Sequence, residues 1–197
     1  MITLPDTFVP RSAQPFVLDA GFVVRNARGL AVGRMETPGS RFGIEVQFPA
    51  MIYDRANELL TYLQAGKRTG LRLNWPLMAT TQAGGTGAVN GSGAAGISLP
   101  VRGLTPLALI KRGAWVTVQN AAGARCVHSV AAPVTVSAGG TATLSVQAPL
   151  RTVLVDGDVV LVSAPTIEGV ITSELNWDLP VNRIVPGIGF RLEEAEA

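Results

Sequence analysis

The chain is short of most of the side chains that chemistry uses. It has one cysteine (Cys126), one histidine (His128), two lysines (Lys67 and Lys111) and only 15% charged residues. A single cysteine excludes an internal disulfide and a thiolate zinc cage, and it fits a reducing compartment. A single histidine leaves the common nucleophile–base pairs and metal-ligand sets incomplete. Charge of neither sign dominates: 16 basic and 14 acidic side chains give a formal +2, so no cationic stripe for nucleic acid is expected. Nor is there an unbroken apolar run of about 20 residues, so no membrane-spanning helix is expected. The opening Met-Ile-Thr-Leu-Pro-Asp has no basic stretch ahead of an apolar one, which argues against a secretory signal or transit peptide and for synthesis in a cytoplasm.

What is present is apolar. Of the 197 residues, 47% are hydrophobic, and the mean hydropathy is +0.32. With charge well below the ~25% usual in soluble domains, such a chain has little solvated surface to offer. That balance suits a subunit that buries much of its outside in an obligate assembly.

Punctuation divides the chain. The segment 83–96, AGGTGAVNGSGAAG, reads as a flexible Gly-rich linker, and Ser163-Ala164-Pro165 marks a second break. Between them, 97–165 reads as a self-contained β domain with strands at Ala114–Gln119, Ala124–Val130, Val134–Val136, Thr141–Gln147, Thr152–Val155 and Val159–Val162. Asp156-Gly157 predicts a tight hairpin turn, because that pair tolerates positive φ. Residues 1–82 and 166–197 then form a second β unit, interrupted by the first. It has strands at Phe16–Leu18, Phe22–Val24, Arg41–Phe48 and Gly70–Trp75, and Ile167–Leu179 supplies more, with Ile167, Gly169 and Ile171 on one side and Val170 on the other. Its one helix spans 52–65: Ile52, Ala56, Leu59, Leu60 and Leu63 share a face at period 3.6, Gly66 stands where a left-handed cap is usual, and Lys67 and Arg68 suit the negative end of the dipole.

Few residues invite a chemical reading. Cys126 and His128, two apart on a strand, point to one face and are a candidate nucleophile and base, or half a metal site, with no second histidine and no nearby carboxylate to complete them. Asp156 and Asp158 flank a glycine, but a calcium loop needs more oxygen ligands and the next carboxylate, Glu168, is ten residues on. The glycines of 83–96 lead to a strand rather than a helix N-terminus, and Gly66-Lys67-Arg68-Thr69 sits at the wrong end of a helix for phosphate. Glu36, Glu45 and Glu58 are the carboxylates that would have to converge for glycoside cleavage, and nothing in their spacing favours it. Trp75, Trp115 and Trp177 are candidate sugar platforms, with core packing as the alternative. The residues therefore assign no catalytic, cofactor or metal site.

A set of segments goes further. Leu99–Pro106, Ile110–Val118, Arg125–Val130, Gly140–Leu144, Pro149–Arg151, Asp156–Val160 and Pro165–Gly169 resemble the accessory β domain of tail proteins from long, flexible-tailed bacteriophages. The match covers about 70 residues, departs at Arg112-Gly113-Ala114 where an acidic residue is common, and extends to the flanks only in architecture. It implies the distal tail protein family: a mainly β fold, with a tail-tube-like β-sandwich, one flanking helix and an inserted antiparallel β-barrel or sandwich. It further implies a homo-oligomeric ring, six copies in the family, between the tail tube and the hub or host-recognition proteins of the virion's tail tip, with DNA passing through the lumen. A tail-tube or tube-terminating protein, a carbohydrate-binding module and a small hydrolase are the alternatives. The 14 arginines would then serve inter-subunit ion pairs rather than line the passage.

Overall fold

The computed structural model describes residues 1–35, 39–76, 82–178, 181 and 183–195. In chain order these form β1 (Ile2–Thr3), β2 (Ser12–Leu18), β3 (Phe22–Arg25), β4 (Ala31–Met35), β5 (Arg41–Gln47), β6 (Met51–Ile52), α1 (Tyr53–Thr69) and β7 (Leu71–Asn74). There follow β8 (Thr86–Val89), β9 (Ala94–Arg102), β10 (Leu109–Ile110), β11 (Trp115–Gln119), β12 (Arg125–Ser129), β13 (Val134–Thr135), β14 (Ala142–Leu154) and β15 (Val159–Leu161). The last are β16 (Thr166–Ile171), β17 (Ile184–Val185) and β18 (Gly189–Glu194). The fold is mainly β, with one helix among the described residues.

Two six-stranded sheets carry it. One has the order β1-β7-β16-β18-β5-β2, antiparallel except for β1 beside β7. Its core face is written in the alternation of Phe42, Ile44 and Val46 on β5 with Phe190 and Leu192 on β18. On β16, Ile167, Gly169 and Ile171 are buried and Val170 is exposed, the alternation read from the sequence. The helix lays Ala56, Leu59, Leu60 and Leu63 into this cluster. The second sheet, β12-β11-β15-β8-β9-β14, curls until its two outer strands meet at a bridge between Val130 and Val146, forming a nearly closed antiparallel barrel around Val116, Leu144 and Val160.

Local physics moves several boundaries. Segment 83–96 is not a linker: Thr86–Val89 pairs with β15 and β9, Val89 is fully buried, and β9 begins at Ala94. Its glycines serve close approach; a side chain on Gly87 would run into the Arg102 carbonyl and Leu104. The helix runs past Gly66, which is buried against Leu71, and stops at Gly70, whose φ of 85° provides the turn out. Ile52 precedes the helix in extended conformation, exposed and paired with Ile184. Thr152–Val155 is not separate from Thr141–Gln147; both belong to the 13-residue β14, whose pairing with β9 is shifted at two irregularities. Asp156-Gly157 does turn the chain, with an Asp158 N–H to Val155 carbonyl bond and φ of 92° at Gly157, but β14 and β15 do not pair. The turn crosses the barrel end, with β8 and β9 lying between those strands in the sheet. Of 167–179, the strand covers 166–171, and Leu179 lies outside the described residues.

Register fixes what sits at each end of the first sheet. Gly43 faces Glu193, Gly169 faces Glu194, Thr166 faces Asn74 and Leu18 faces Arg41, so these positions share one end. The barrel abuts that end, and the β3–β4 hairpin springs from it. Gln47, facing both Ser12 and Gly189, marks the other end, from which the chain leads into the N-terminus of α1.

Candidate functional site: a buried polar seam and two exposed apolar surfaces

Where the barrel meets the sheet, the contact is a seam of charge and hydrogen bonds set among aromatic rings. Glu194, at the end of β18, has a fully buried side chain. One of its oxygens accepts the Val127 N–H of the barrel at 2.6 Å and lies 2.7 Å from Nη2 of Arg151 on β14; the other accepts the Phe42 N–H at 3.1 Å. Burial pushes its carboxyl above the ordinary glutamate range, against the pull of Arg151 and the two backbone donors. Glu168, likewise buried, lies between Arg72 and Arg125. Thr117 donates to the Thr166 carbonyl and accepts the Thr166 N–H, both at 2.7 Å. Gln82 acts as a strand substitute, exchanging hydrogen bonds with both backbone groups of Trp115 and donating to the Val162 carbonyl.

The sequence-derived candidates fall into this frame. Cys126 and His128 are brought together, both buried, beside Arg151 in one small enclosed space. Burial raises the Cys126 thiol; burial, then Arg151, lowers His128 to about 4, while a hydrogen bond to the Ala148 backbone opposes that shift. At neutral pH the pair is therefore a thiol and a neutral imidazole, the opposite of an activated thiolate–imidazolium couple. Asp156 accepts the Gly91 N–H at 2.8 Å and a bidentate pair from Arg102, and Asp158 accepts the Val155 N–H, so both are committed to holding the turn. Among the described residues no cluster of three or more His, Cys, Asp or Glu is placed to hold a metal.

Glu45 and Glu58 are exposed on β5 and α1, and Glu36 lies outside the described residues. Trp75 is buried and packs on Trp115 with ring centroids 4.3 Å apart, while Phe42 meets Trp115 edge-on at 5.1 Å. Those two tryptophans fill the seam. Trp177 alone is exposed, in an open cleft with Leu175 and Pro186. Six arginines, 34, 72, 102, 125, 151 and 191, form ion pairs within the chain.

Sequence reasoning missed two surfaces. Every described residue of β3 and β4 is exposed, and neither strand joins a six-stranded sheet. Phe22 pairs with Met35 and Val24 with Gly33, so Phe22, Val24 and Met35 share one face, while Val23 and Val32 lie on the other. The tip is ordered: Asn26 Oδ1 accepts the N–H groups of Arg28 and Leu30, and the Asp19–Arg34 pair braces the base. The signal was Asn26 three residues before Gly29 between short apolar runs. At the other end of the sheet a groove of about 430 Å³ is lined mainly by apolar residues, among them Phe8, Val9, Phe48 and Ile52, with the exposed Arg55 and Thr7 also on its wall; Val9 is 69% and Ile52 63% exposed. No protein-family model matches the chain, and no curated protein matches it.

Proposed function

We propose that this chain is a structural virion protein of the distal tail kind: a homo-oligomeric ring, six copies by the resemblance, joining the tube of a long flexible phage tail to its tip or hub and to the host-recognition proteins there. It acts by assembly, without catalytic turnover. It is assembled in the host cytoplasm, resides at the tail tip, inserts into no membrane, and lets DNA through its lumen without specific binding.

The observation that carries the reading is the β3–β4 hairpin. A two-stranded ribbon with apolar residues on both faces is marginal in water by itself and gains its stability from a surface laid against it. Total surface agrees in direction: the chain exposes 10489 Å², against roughly 8900 Å² for a compact monomer of its mass. The resembling segments, moreover, fall on β9 to β15 and the start of β16, the barrel and its exit. The thiol–imidazole pair, buried in its resting protonation states, supports a structural role for the residues most open to a catalytic reading.

The runner-up, a tube or tube-terminating protein, rests on the same hairpin and differs in producing open stacks. Microscopy in negative stain together with mass photometry, on the full chain at micromolar concentration, separates them. Closed rings are expected; open tubes favour the runner-up. A strictly monomeric species at high concentration that does not enter tails overturns both and returns attention to Trp177 and glycans.

A further inference from the structure

Neighbouring strands of the barrel share ladders, but its outer strands β12 and β14 meet only at the antiparallel bridge between Val130 and Val146. One residue accounts for the break. Carried on residue by residue, that register sets His128 against Ala148 and Val127 against Pro149. Proline has no N–H to give, so the ladder stops, and Glu194 takes the Val127 N–H in its place. The pairing of β14 with β9 is interrupted over the same stretch, between Ser145 and Leu150. Side chains must join β12 to β14 where the backbone cannot.

Two of those side chains are left with unspent hydrogen-bonding groups. His128 on β12 and Arg151 on β14 line one enclosed space of about 10 Å³. His128 Nδ1 is buried and has no hydrogen-bond partner. Nη2 of Arg151 lies 2.7 Å from a Glu194 oxygen, but at an angle that makes no hydrogen bond, so it too is a buried donor without an aligned acceptor. The state of Nδ1 follows from its twin. A neutral imidazole carries one N–H. The ring donates to the Ala148 backbone, and because Nδ1 has no partner the donating nitrogen is Nε2. Nδ1 is therefore a bare acceptor in want of a donor, beside a donor in want of an acceptor.

We propose that one water molecule is bound here as a structural part of the protein. It accepts from Arg151 and donates to Nδ1 of His128, and so stands in for the rung between β12 and β14 that Pro149 denies. Water both gives and takes a hydrogen bond, and the space suits a single such molecule with polar groups around it. A metal ion is the competing occupant, because Cys126 and His128 share the wall. Arg151, a cation on that wall, opposes it, and burial keeps the Cys126 thiol protonated. Among the described residues no third ligand completes a metal set.

His128 is the one histidine of the chain, so its ring signals in an NMR spectrum identify themselves. The full-length protein, isotope-labelled in histidine alone, is measured at pH 7 in metal-free buffer. Nε2 should be the protonated nitrogen and Nδ1 a hydrogen-bonded acceptor. The ring Hε1 should show a cross-peak to water, with the sign of a molecule bound for longer than the protein's tumbling time. A high-resolution crystal structure should show one density peak within about 3 Å of both Nδ1 and Nη2. In the double variant Glu194→Gln with Arg151→Met, which removes one of the water's partners, the cross-peak should fall severalfold while the ring keeps its tautomer. Circular dichroism checks that this variant folds; if it does not, the wild-type cross-peak and density decide. Absence of both cross-peak and density, a proton on Nδ1, or a cross-peak unchanged in the folded double variant would each overturn the proposal. Ring signals that shift on adding one equivalent of zinc ion would overturn it in favour of a metal.

Discussion

Replacing Glu194 by glutamine tests whether the polar seam bolts the barrel to the sheet. The change keeps size and removes charge. Arg151, whose side chain is only 7% exposed, would be left without its anion, and breaking a buried pair from one side costs about 3–5 kcal/mol. An amide has one acceptor oxygen for the two donors, Val127 N–H and Phe42 N–H, that now use separate carboxylate oxygens, so one donor faces an NH₂ group at a further ~1–3 kcal/mol. These losses share atoms and do not simply add; a fall of about 4 kcal/mol is expected, a large part of a typical ~5–15 kcal/mol total. Urea unfolding followed by tryptophan fluorescence is the assay, because Trp75 and Trp115 pack together at the seam and report its opening. Arg151→Met combined with Glu194→Gln removes the stranded cation and should recover at least half of the loss. The reasoning fails if Glu194→Gln lies within about 1 kcal/mol of wild type, or if the double variant is the weaker of the two.

His128 makes stability depend on pH. Its folded value of about 4 lies below the ordinary 6.5, so the unfolded chain binds the proton more readily. The contribution is complete above about 6.5 and is lost as pH falls towards 4, amounting to about 3 kcal/mol at ~1.4 kcal/mol per pKa unit. Urea midpoints between pH 7 and pH 4 should fall less steeply in His128→Gln, and equal slopes would refute the assignment. Leu60→Asp buries an unpaired charge under α1 and should cost about 4 kcal/mol by thermal melting; a variant that melts like the parent would show that the helix does not pack as described. Gly169→Ala would drive a methyl into the Glu193 carbonyl across the ladder and should cost about 3 kcal/mol, whereas Gly33→Ala on the hairpin, with open space around it, should be neutral; similar melting temperatures for the two would contradict the packing at β16.

The barrel was largely legible because its strands alternate at period two between β-branched residues and glycine turns; β11 and β12 fall within a residue or so of their expected limits. The helix was legible by its 3.6 period, but its end was not, since whether Gly66 caps or packs is decided by Leu71, outside the helix. Composition made 83–96 look like a linker. Small residues are equally suited to a sheet in which neighbouring backbones approach closely, and sequence alone offers no sign of that neighbour. The seam was hidden for a different reason: Phe42, Val127, Arg151 and Glu194 come together only through long-range pairing. Glu168 alone gave a hint, as the one charged residue on an otherwise uncharged strand, on the face opposite Ile167 and Ile171.

The order of strands along the chain also dictates an order of events during synthesis. β1, β2, β5 and β7 emerge early, but β16 and β18, which hold β7 to β5 in the middle of the first sheet, are made only after the whole barrel. Ile44 waits for Leu192. The barrel, by contrast, draws all six of its strands from one continuous stretch, β8 to β15, and its contacts close far shorter loops. A nascent chain therefore has the whole barrel before it has the middle of the sheet, and Ile44 and Val46 lack their β18 neighbours until that strand follows. β18, which follows every other strand of both six-stranded sheets, brings Glu194, so the residue that locks the barrel to the sheet enters only after both have their other parts in hand.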